Sequence, residues 1–244
     1  MEYTYKEYEI LTKKEIGETR IVTISDLNWN QELTKTDIQD LIVRINDTLP
    51  KYIFLLGGIT SYNNLEEKEF QKHLDYFLQL LSSIGKAYLV FGNLDYKLEE
   101  SKKNYFVTLD NLLKFYNKEP ITTIHNYISL DNNVNIVGFN KIPSTYHDVH
   151  EAKKEIQSLI AKINSVIDQD KFNILITHSN INILKLERSI LETFDLILTT
   201  DHKITPKKRL RSKENQTIQL ENSIIENGGI HSKGELDFIK IKHI

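Results

Sequence analysis

The chain has 244 residues, of which 40% are hydrophobic and 27% are charged, and its formal net charge is -3. A chain of this size and composition can bury a sizeable core, and its charge balance argues against general nucleic-acid binding. The sequence contains no cysteine, which excludes disulfides, thiolate nucleophiles, zinc fingers and iron–sulfur clusters. We expect one domain over residues 1–244, without a signal peptide or a membrane span, in the cytoplasm.

In the first half of the chain, short apolar runs alternate with helical patterns. Arg20–Ile24, Tyr52–Leu56 and Ala87–Phe91 are short and apolar, which predicts buried strands. Thr34 or Thr36 is a candidate N-cap for the first helix. Apolar residues recur at helical spacing in three segments: Ile38, Leu41, Ile42, Ile45 and Leu49; Phe70, Leu74, Phe77, Leu78 and Leu81; Phe106, Leu109, Leu113 and Tyr116.

The second half is richer in strands. Further strands are predicted at 121–124, 127–130, 134–139, 173–177 and 195–199, with a long helix over 152–167 and a short one over 181–191. The segments Thr217–Ile225 and Leu236–Ile241 predict antiparallel strands around a Gly228-Gly229 turn. Strands that alternate with helices indicate an α/β protein, and the late strands without helices indicate a mixed sheet.

Five predicted strands are followed by polar or small residues. In α/β sheets, functional groups gather at the carboxyl ends of the strands, so these segments are the place to look for a site. They are Ser25-Asp26-Leu27-Asn28, Gly57-Gly58-Ile59-Thr60-Ser61, Gly92-Asn93-Leu94-Asp95, His178-Ser179-Asn180 and Thr200-Asp201-His202-Lys203.

This series resembles the motifs of the calcineurin-like metallophosphoesterases. Those motifs are, in order, D-x-H, G-D-x-x-D, G-N-H-D, a lone His after a strand, and G-H-x-H. The order, the preceding strands and the spacing match from about Thr19 to the C-terminus, and the runs TRIVTISDL, FNILITHS and FDLILT resemble strands of the family. The resemblance implies an α/β/β/α sandwich, with two mixed β-sheets flanked by helices.

Positions at which the family holds its two metal ions are altered. The first motif keeps Asp26, but its His position is Asn28, the bridging Asp falls at Gly58, and the catalytic His falls at Leu94. A shared carboxylate offsets the repulsion between two cations that lie about 3.5–4 Å apart, and glycine cannot supply one. Leucine cannot donate a proton or stabilise charge on a phosphate. The ordinary two-metal reaction is therefore predicted to be lost.

The last motif is altered as well. Aligned without a gap, its two histidines fall at Asp201 and Lys203, and a one-residue shift would make His202 a ligand. We hypothesise that Lys203 pairs with Asp26 and that Asp201 bonds His178, which closes the remnant site internally. The remnant metal positions are Asp26, Asn28, Asn93, His178, Asp201 and His202, and the other site positions are Gly58, Leu94, Asp95 and Lys203.

Three functions follow from the resemblance and the altered motifs. The first is an inactive pseudoenzyme that acts as a binding or scaffold module for a protein partner and needs no cofactor. The second is a residual phosphoesterase that uses one Mn, Zn or Mg ion to hydrolyse a phosphodiester or phosphomonoester. The third is a phosphate- or nucleotide-binding regulator. The basic run Lys203–Lys213 is either a solvated loop or an edge that binds phosphate or another anion.

Overall fold

The structure is a computed structural model that describes residues 4–29, 34–60, 64, 67–92, 95–96, 105–116, 121–124, 127–130, 133–139, 149–178, 193–199, 218–221 and 235–243. The strands in these ranges are β1 Thr4–Thr12, β2 Thr19–Ser25, β3 Tyr52–Leu55, β4 Lys86–Leu89, β5 Thr122–Thr123, β6 Tyr127–Leu130, β7 Val134–Gly138, β8 Phe172–Ile176, β9 Leu196–Thr199, β10 Ile218–Glu221 and β11 Glu235–His243. The helices are α1 Lys35–Asp47, α2 Lys68–Ile84, α3 Tyr105–Tyr116 and α4 Val149–Val166.

The strands form two mixed sheets. The first has the order β1-β11-β2-β3-β4-β5, in which β2 to β5 run parallel and β11 is antiparallel to β2. The second has the order β10-β9-β8-β7-β6, and in it β6 is antiparallel to its neighbour β7 while the other pairs are parallel. Parallel neighbours need crossover connections, and α1 and α2 fill that role between β2, β3 and β4.

The strand side chains alternate between separate hydrophobic cores, which sets the layers of the fold. Tyr52 and Phe54 of β3 pack with β8 residues such as Ile174 in a core shared by the two sheets. Ile53 and Leu55, which point to the opposite face, pack with α1 and α2. A third cluster joins the second sheet to α4. The layers therefore run helix, sheet, sheet, helix, and the predicted α/β class with two mixed sheets is confirmed.

Helix α1 illustrates how local sequence determines an element. The hydroxyl of Thr34 accepts the N–H of Asp37 at 3.2 Å, and the Asp37 carboxylate accepts the N–H of Thr34 at 3.1 Å. This capping box satisfies two N–H groups that the first helical turn leaves unpaired. Ile38, Leu41 and Ile45 of the predicted apolar stripe are buried, but Leu49 lies beyond the end of the helix and is 69% exposed. Of the two candidate N-caps, Thr34 is the one used.

A lysine between β1 and β2 ties the two sheets together at one end. The Lys14 ammonium donates to the Asp195 carboxylate at 2.6 Å and to the carbonyl of Lys171 at 2.7 Å. The same carboxylate oxygen accepts the N–H of Asn173 at 2.7 Å. Asp195 and Lys171 directly precede β9 and β8, so this contact lies at the start of those strands, opposite to the edge where the candidate site was predicted.

The C-terminal prediction was wrong in its pairing. The strands β10 and β11 do not form an antiparallel pair, because β10 lies parallel to β9 in the second sheet while β11 lies between β1 and β2 in the first. Ile239 and Ile241 of β11 bury their side chains between the sheets, which a two-stranded hairpin could not offer. The predicted helix over 181–191 lies outside the described residues.

Strand β1 was not predicted. Tyr8 and Ile10 alternate with the charged residues Glu7 and Glu9. The side chains of Tyr8 and Ile10 pack in the core between the sheets. That alternation is a strand signal of the ordinary kind. Within the part of the chain that the structure describes, no helix combines the length and the apolar character needed to cross a bilayer.

Candidate functional site

The loops that follow β2 and β3 are joined by main-chain hydrogen bonds. The N–H of Asp26 donates to the carbonyl of Gly57 at 3.1 Å, and the N–H of Asn28 donates to the carbonyl of Gly58 at 2.8 Å. These bonds extend the parallel pairing of the two strands beyond their ends. Asp26 and Asn28 are therefore held beside the two glycines at the carboxyl edge of the first sheet.

Both loops contain backbone in the left-handed region. The φ angles are 50° at Asp26 and 47° at Asn28, and they are 87° at Gly57 and 67° at Gly58. Glycine adopts this region freely, and Asp and Asn tolerate it best among the other residues. At Asp26 and Asn28 this backbone is a less favourable conformation that the bonded loops hold in place. Gly17 and Leu49, which lie outside these loops, also have positive φ angles, so left-handed backbone alone does not mark a site.

Gly58 lies directly against Asp26. A Cβ atom added to Gly58 would stand 2.6 Å from Oδ1 of Asp26 and 3.0 Å from its Cα, both closer than ordinary contact. Gly58 is the position to which the family resemblance assigns the carboxylate that bridges two metal ions. Glycine supplies no carboxylate, and an added side chain would have to displace Oδ1 of Asp26, so the residues present do not fit a two-metal centre bridged from this position.

The loop after β4 packs on the same two glycines. A Cβ added to Gly57 would lie 2.3 Å from the nitrogen of Gly92, and one added to Gly92 would lie 2.6 Å from the nitrogen of Gly58. Only backbone without side chains can approach this closely. Three consecutive loops of the first sheet therefore meet through their main chains.

Asp95 is buried beneath these loops, with 1% of its surface exposed. Its Oδ2 accepts the N–H groups of Gly92 at 2.6 Å and Gly58 at 2.9 Å, and its Oδ1 accepts the N–H of Thr60 at 3.4 Å. Burial raises the pKa of Asp95 to about 6, although the Gly92 amide and the charge of His178 both act to lower it. Burial also raises the pKa of the Tyr116 hydroxyl well above its ordinary value, with the negative charge of Asp95 acting in the same direction.

His178 brings the second sheet to the site. It follows the end of β8, and its Nδ1 lies 2.8 Å from the carbonyl oxygen of Leu56, which follows β3. A carbonyl can only accept, so Nδ1 carries the proton, and in the neutral ring Nε2 then has a lone pair. The ring also packs on Gly92, where an added Cβ would lie 2.8 Å from Nδ1. The site therefore lies where the carboxyl ends of both sheets meet.

The structure brings together half of the predicted site. Asp26, Asn28, Gly58, Asp95 and His178 lie on loops that contact one another at this edge. Within the described ranges, no three His, Asp or Glu side chains are grouped closely enough to hold a metal ion. Asn93, Leu94, Asp201, His202 and Lys203 lie outside the described residues, as does the basic run 203–213. The hypothesised pairing of Lys203 with Asp26 and the hypothesised bond from Asp201 to His178 are therefore not tested.

Sequence reasoning missed two parts of the site. Gly92 was treated as part of a motif, but it is the backbone contact on which His178 packs. Tyr116 was assigned to a helix pattern, and its electrostatic interaction with Asp95 was not predicted. A Gly after a buried strand is a signal for close backbone approach. Nothing in the sequence marks Tyr116 as a neighbour of Asp95.

No protein-family model matches the chain, and no curated protein sequence matches it. Among solved structures, the phosphopantetheinyl hydrolase of Mycobacterium tuberculosis is 13% identical over 85% of this chain and 90% of that chain, with a TM-score of 0.44. A dimetal phosphatase from Danio rerio is 11% identical over 83% of this chain and 86% of that chain, with a TM-score of 0.49. The purple acid phosphatase PPD1 from yellow lupin is 11% identical over 91% of this chain and 44% of that chain, with a TM-score of 0.47. These similarities concern the fold alone.

Proposed function

We propose that this chain is a degenerate metallophosphoesterase-fold protein that is catalytically inactive and acts as a binding or scaffold module for a protein partner. The observation that carries the proposal is the contact between Gly58 and Asp26. The motif resemblance assigns the bridging carboxylate to Gly58, and an added Cβ there would stand 2.6 Å from Oδ1 of Asp26. Without a bridging carboxylate, two close cations have no group to offset their repulsion.

The remaining carboxylate in the described part of the site supports the same proposal. Asp95 is buried, and its oxygens accept backbone N–H groups from Gly58, Thr60 and Gly92. A carboxylate that is already used by three donors on the protein side is poorly placed to serve as a metal bridge. The loops after β2, β3 and β4, together with His178, then form a junction without catalytic function, and loops of this kind are common places for a partner protein to bind.

Metal binding is the direct test. In chelator-treated protein, addition of Mn²⁺, Zn²⁺, Mg²⁺ or Ca²⁺ should leave the unfolding temperature unchanged. An ion bound to the native state and present at a hundred times its Kd would stabilise the fold by roughly 2.7 kcal/mol, which a thermal-shift measurement detects easily.

The controls for the metal test are Asp26→Asn and His178→Ala. A shift that appears with one ion in the native chain and disappears in both variants would contradict the proposal, since it would place a working metal site at this junction. A shift that survives both variants would point to ions bound elsewhere and would leave the proposal standing.

A second candidate function is the hydrolysis of a phosphodiester or phosphomonoester with one bound ion. It is favoured by the tautomer of His178, because the bond from Nδ1 to the Leu56 carbonyl leaves Nε2 with a lone pair. Imidazole and carboxylate together suit Mn²⁺ or Zn²⁺, so His178 and Asp26 would be the ligands, and the ion would supply an activated water. This function predicts metal-dependent turnover of an aryl phosphate that is lost in His178→Ala.

A further inference from the structure

We propose that Asp95 is the positioning residue of the junction: its carboxylate holds the loops after β3 and β4 together, and through them it sets the places of Asp26 and His178. The inference does not depend on what the junction binds. It gives a specific role to Asp95, a site position of the motif comparison that follows Leu94, where the family has its catalytic histidine.

The three backbone N–H groups that donate to Asp95 come from two different loops. A side chain that served only to cap its own turn would bond the nearby N–H of Gly92, three residues earlier. Asp95 does this, but it also accepts the N–H of Gly58 and of Thr60, which are 37 and 35 residues away and belong to a different loop. One buried carboxylate thus links the β3 loop to the β4 loop.

The loop after β3 is also bonded to the loop after β2, which carries Asp26. The Gly57–Gly58 peptide donates its N–H to Asp95, and its carbonyl accepts the N–H of Asp26 at 3.1 Å. The Ile59–Thr60 peptide likewise donates its N–H to Asp95, and its carbonyl accepts the N–H of Trp29 at 2.9 Å. The peptide groups that Asp95 fixes on one side are therefore bonded to the β2 loop on the other. Asp26 and Asn28 hold left-handed backbone, which persists only where the surroundings enforce it.

Gly92 also packs against the imidazole ring of His178. The nitrogen of Gly92 is fixed by Asp95, and its Cα side faces the imidazole so closely that an added Cβ would lie 2.8 Å from the ring. If Gly92 were released, the ring would lose the surface against which it packs. Its bond from Nδ1 to the Leu56 carbonyl would then no longer be held in place.

The experiment compares Asp95→Ala and Asp95→Asn with Asn173→Ala by NMR on ¹⁵N-labelled full-length protein. Asn173 is a matched control, because it is a buried polar side chain with hydrogen bonds to Asn135 and to the carbonyl of Asp168, at the opposite end of the strand that leads to His178. The readouts are the amide protons of Gly58 and Gly92, and the ring nitrogens of His178, which report its tautomer.

In Asp95→Ala, the amide protons of both glycines should move upfield and His178 should change from one tautomer to a mixture. Asparagine offers one neutral acceptor, so it should restore the histidine tautomer and move the glycine signals less. Asn173→Ala should lower the unfolding temperature and leave all these signals in place. Movement of Gly92 alone would overturn the proposal and reduce Asp95 to a turn cap.

If Asp95→Ala fails to fold, Asp95→Asn tests the positioning role of Asp95. The loss of charge should still weaken the bonds from Gly58 and Gly92, so both signals should move upfield together. A Gly58 signal that stays at its native position in Asp95→Asn would overturn the proposal.

Discussion

Gly58→Ala should destabilise the protein by about 2–4 kcal/mol, whereas Gly17→Ala should cost only about 1 kcal/mol. The two glycines have nearly the same positive φ angle, 67° at Gly58 and 68° at Gly17. An added Cβ meets nothing within 4 Å at Gly17, but at Gly58 it meets Oδ1 of Asp26 at 2.6 Å. The left-handed penalty is therefore shared, and the difference between the two variants measures the crowding at the site. Urea unfolding of both variants provides the comparison.

A double-mutant cycle with Asp26→Gly serves as the control for this prediction. That change removes Oδ1 but leaves the Cα of residue 26 at 3.0 Å from the added atom, so the cost of Gly58→Ala should fall without vanishing. Gly58→Asp, which introduces the carboxylate that the motif resemblance would place there, should destabilise at least as much as alanine. Equal costs for the changes at Gly17 and Gly58 would show that the loops separate easily, and the argument against a bridged metal pair would fail.

This crowding could not be predicted from the sequence. The motif comparison identified Gly58 as a position that lacks a carboxylate, which concerns the residue type and not the space around it. Whether this position has room for a carboxylate depends on Asp26, and the proximity of these two residues in different loops cannot be read from a local sequence pattern. The structure adds that an atom placed at the Cβ position of Gly58 would lie 2.6 Å from Oδ1 of Asp26.

The fold was predictable where local pattern and burial agree. The runs Tyr52–Leu56 and Asn173–Thr177 are apolar on both faces because each lies in a sheet covered on both sides, and both are strands as predicted. Thr34 and Asp37 lie three residues apart, so their capping box was within reach of local reasoning. The partners of β10 and β11 were not, since alternation specifies a strand but does not specify which sheet it joins.

In the site, too, features that depend on local sequence were predictable, and those that depend on contacts between distant residues were not. Asp26 and His178 could be placed at one edge because each follows a buried strand. The amide partners of Asp95 could not be found, because Gly58 and Thr60 lie far from it in sequence and donate through main-chain groups that every residue possesses. Main-chain contacts between distant loops do not require particular residue types, except that close backbone approach favours glycine.

The stability that Asp95 contributes should depend on pH, with a sign opposite to that of most carboxylates. Burial raises its pKa to about 6 in the folded protein, above the value near 3.8 that is ordinary for aspartate. The folded state therefore binds more protons than the unfolded state between these values. The contribution of Asp95 is fully present below about pH 4, and it is lost as the pH rises through 6, by roughly 3 kcal/mol in total.

The measurement is the free energy of unfolding of the native chain minus that of Asp95→Asn, from pH 3.5 to pH 7.5, because the subtraction removes the titrating groups that do not interact with Asp95. It should fall across about pH 4–6 and then level off. Asp37→Asn is the control of opposite sign: the Thr34 hydroxyl holds the pKa of Asp37 below its ordinary value, so its contribution is lost as the pH falls. If the Asp95 difference instead grew with pH, the three amide donors would stabilise the carboxylate more than burial destabilises it, and Asp95 would be a charged anchor throughout the physiological range.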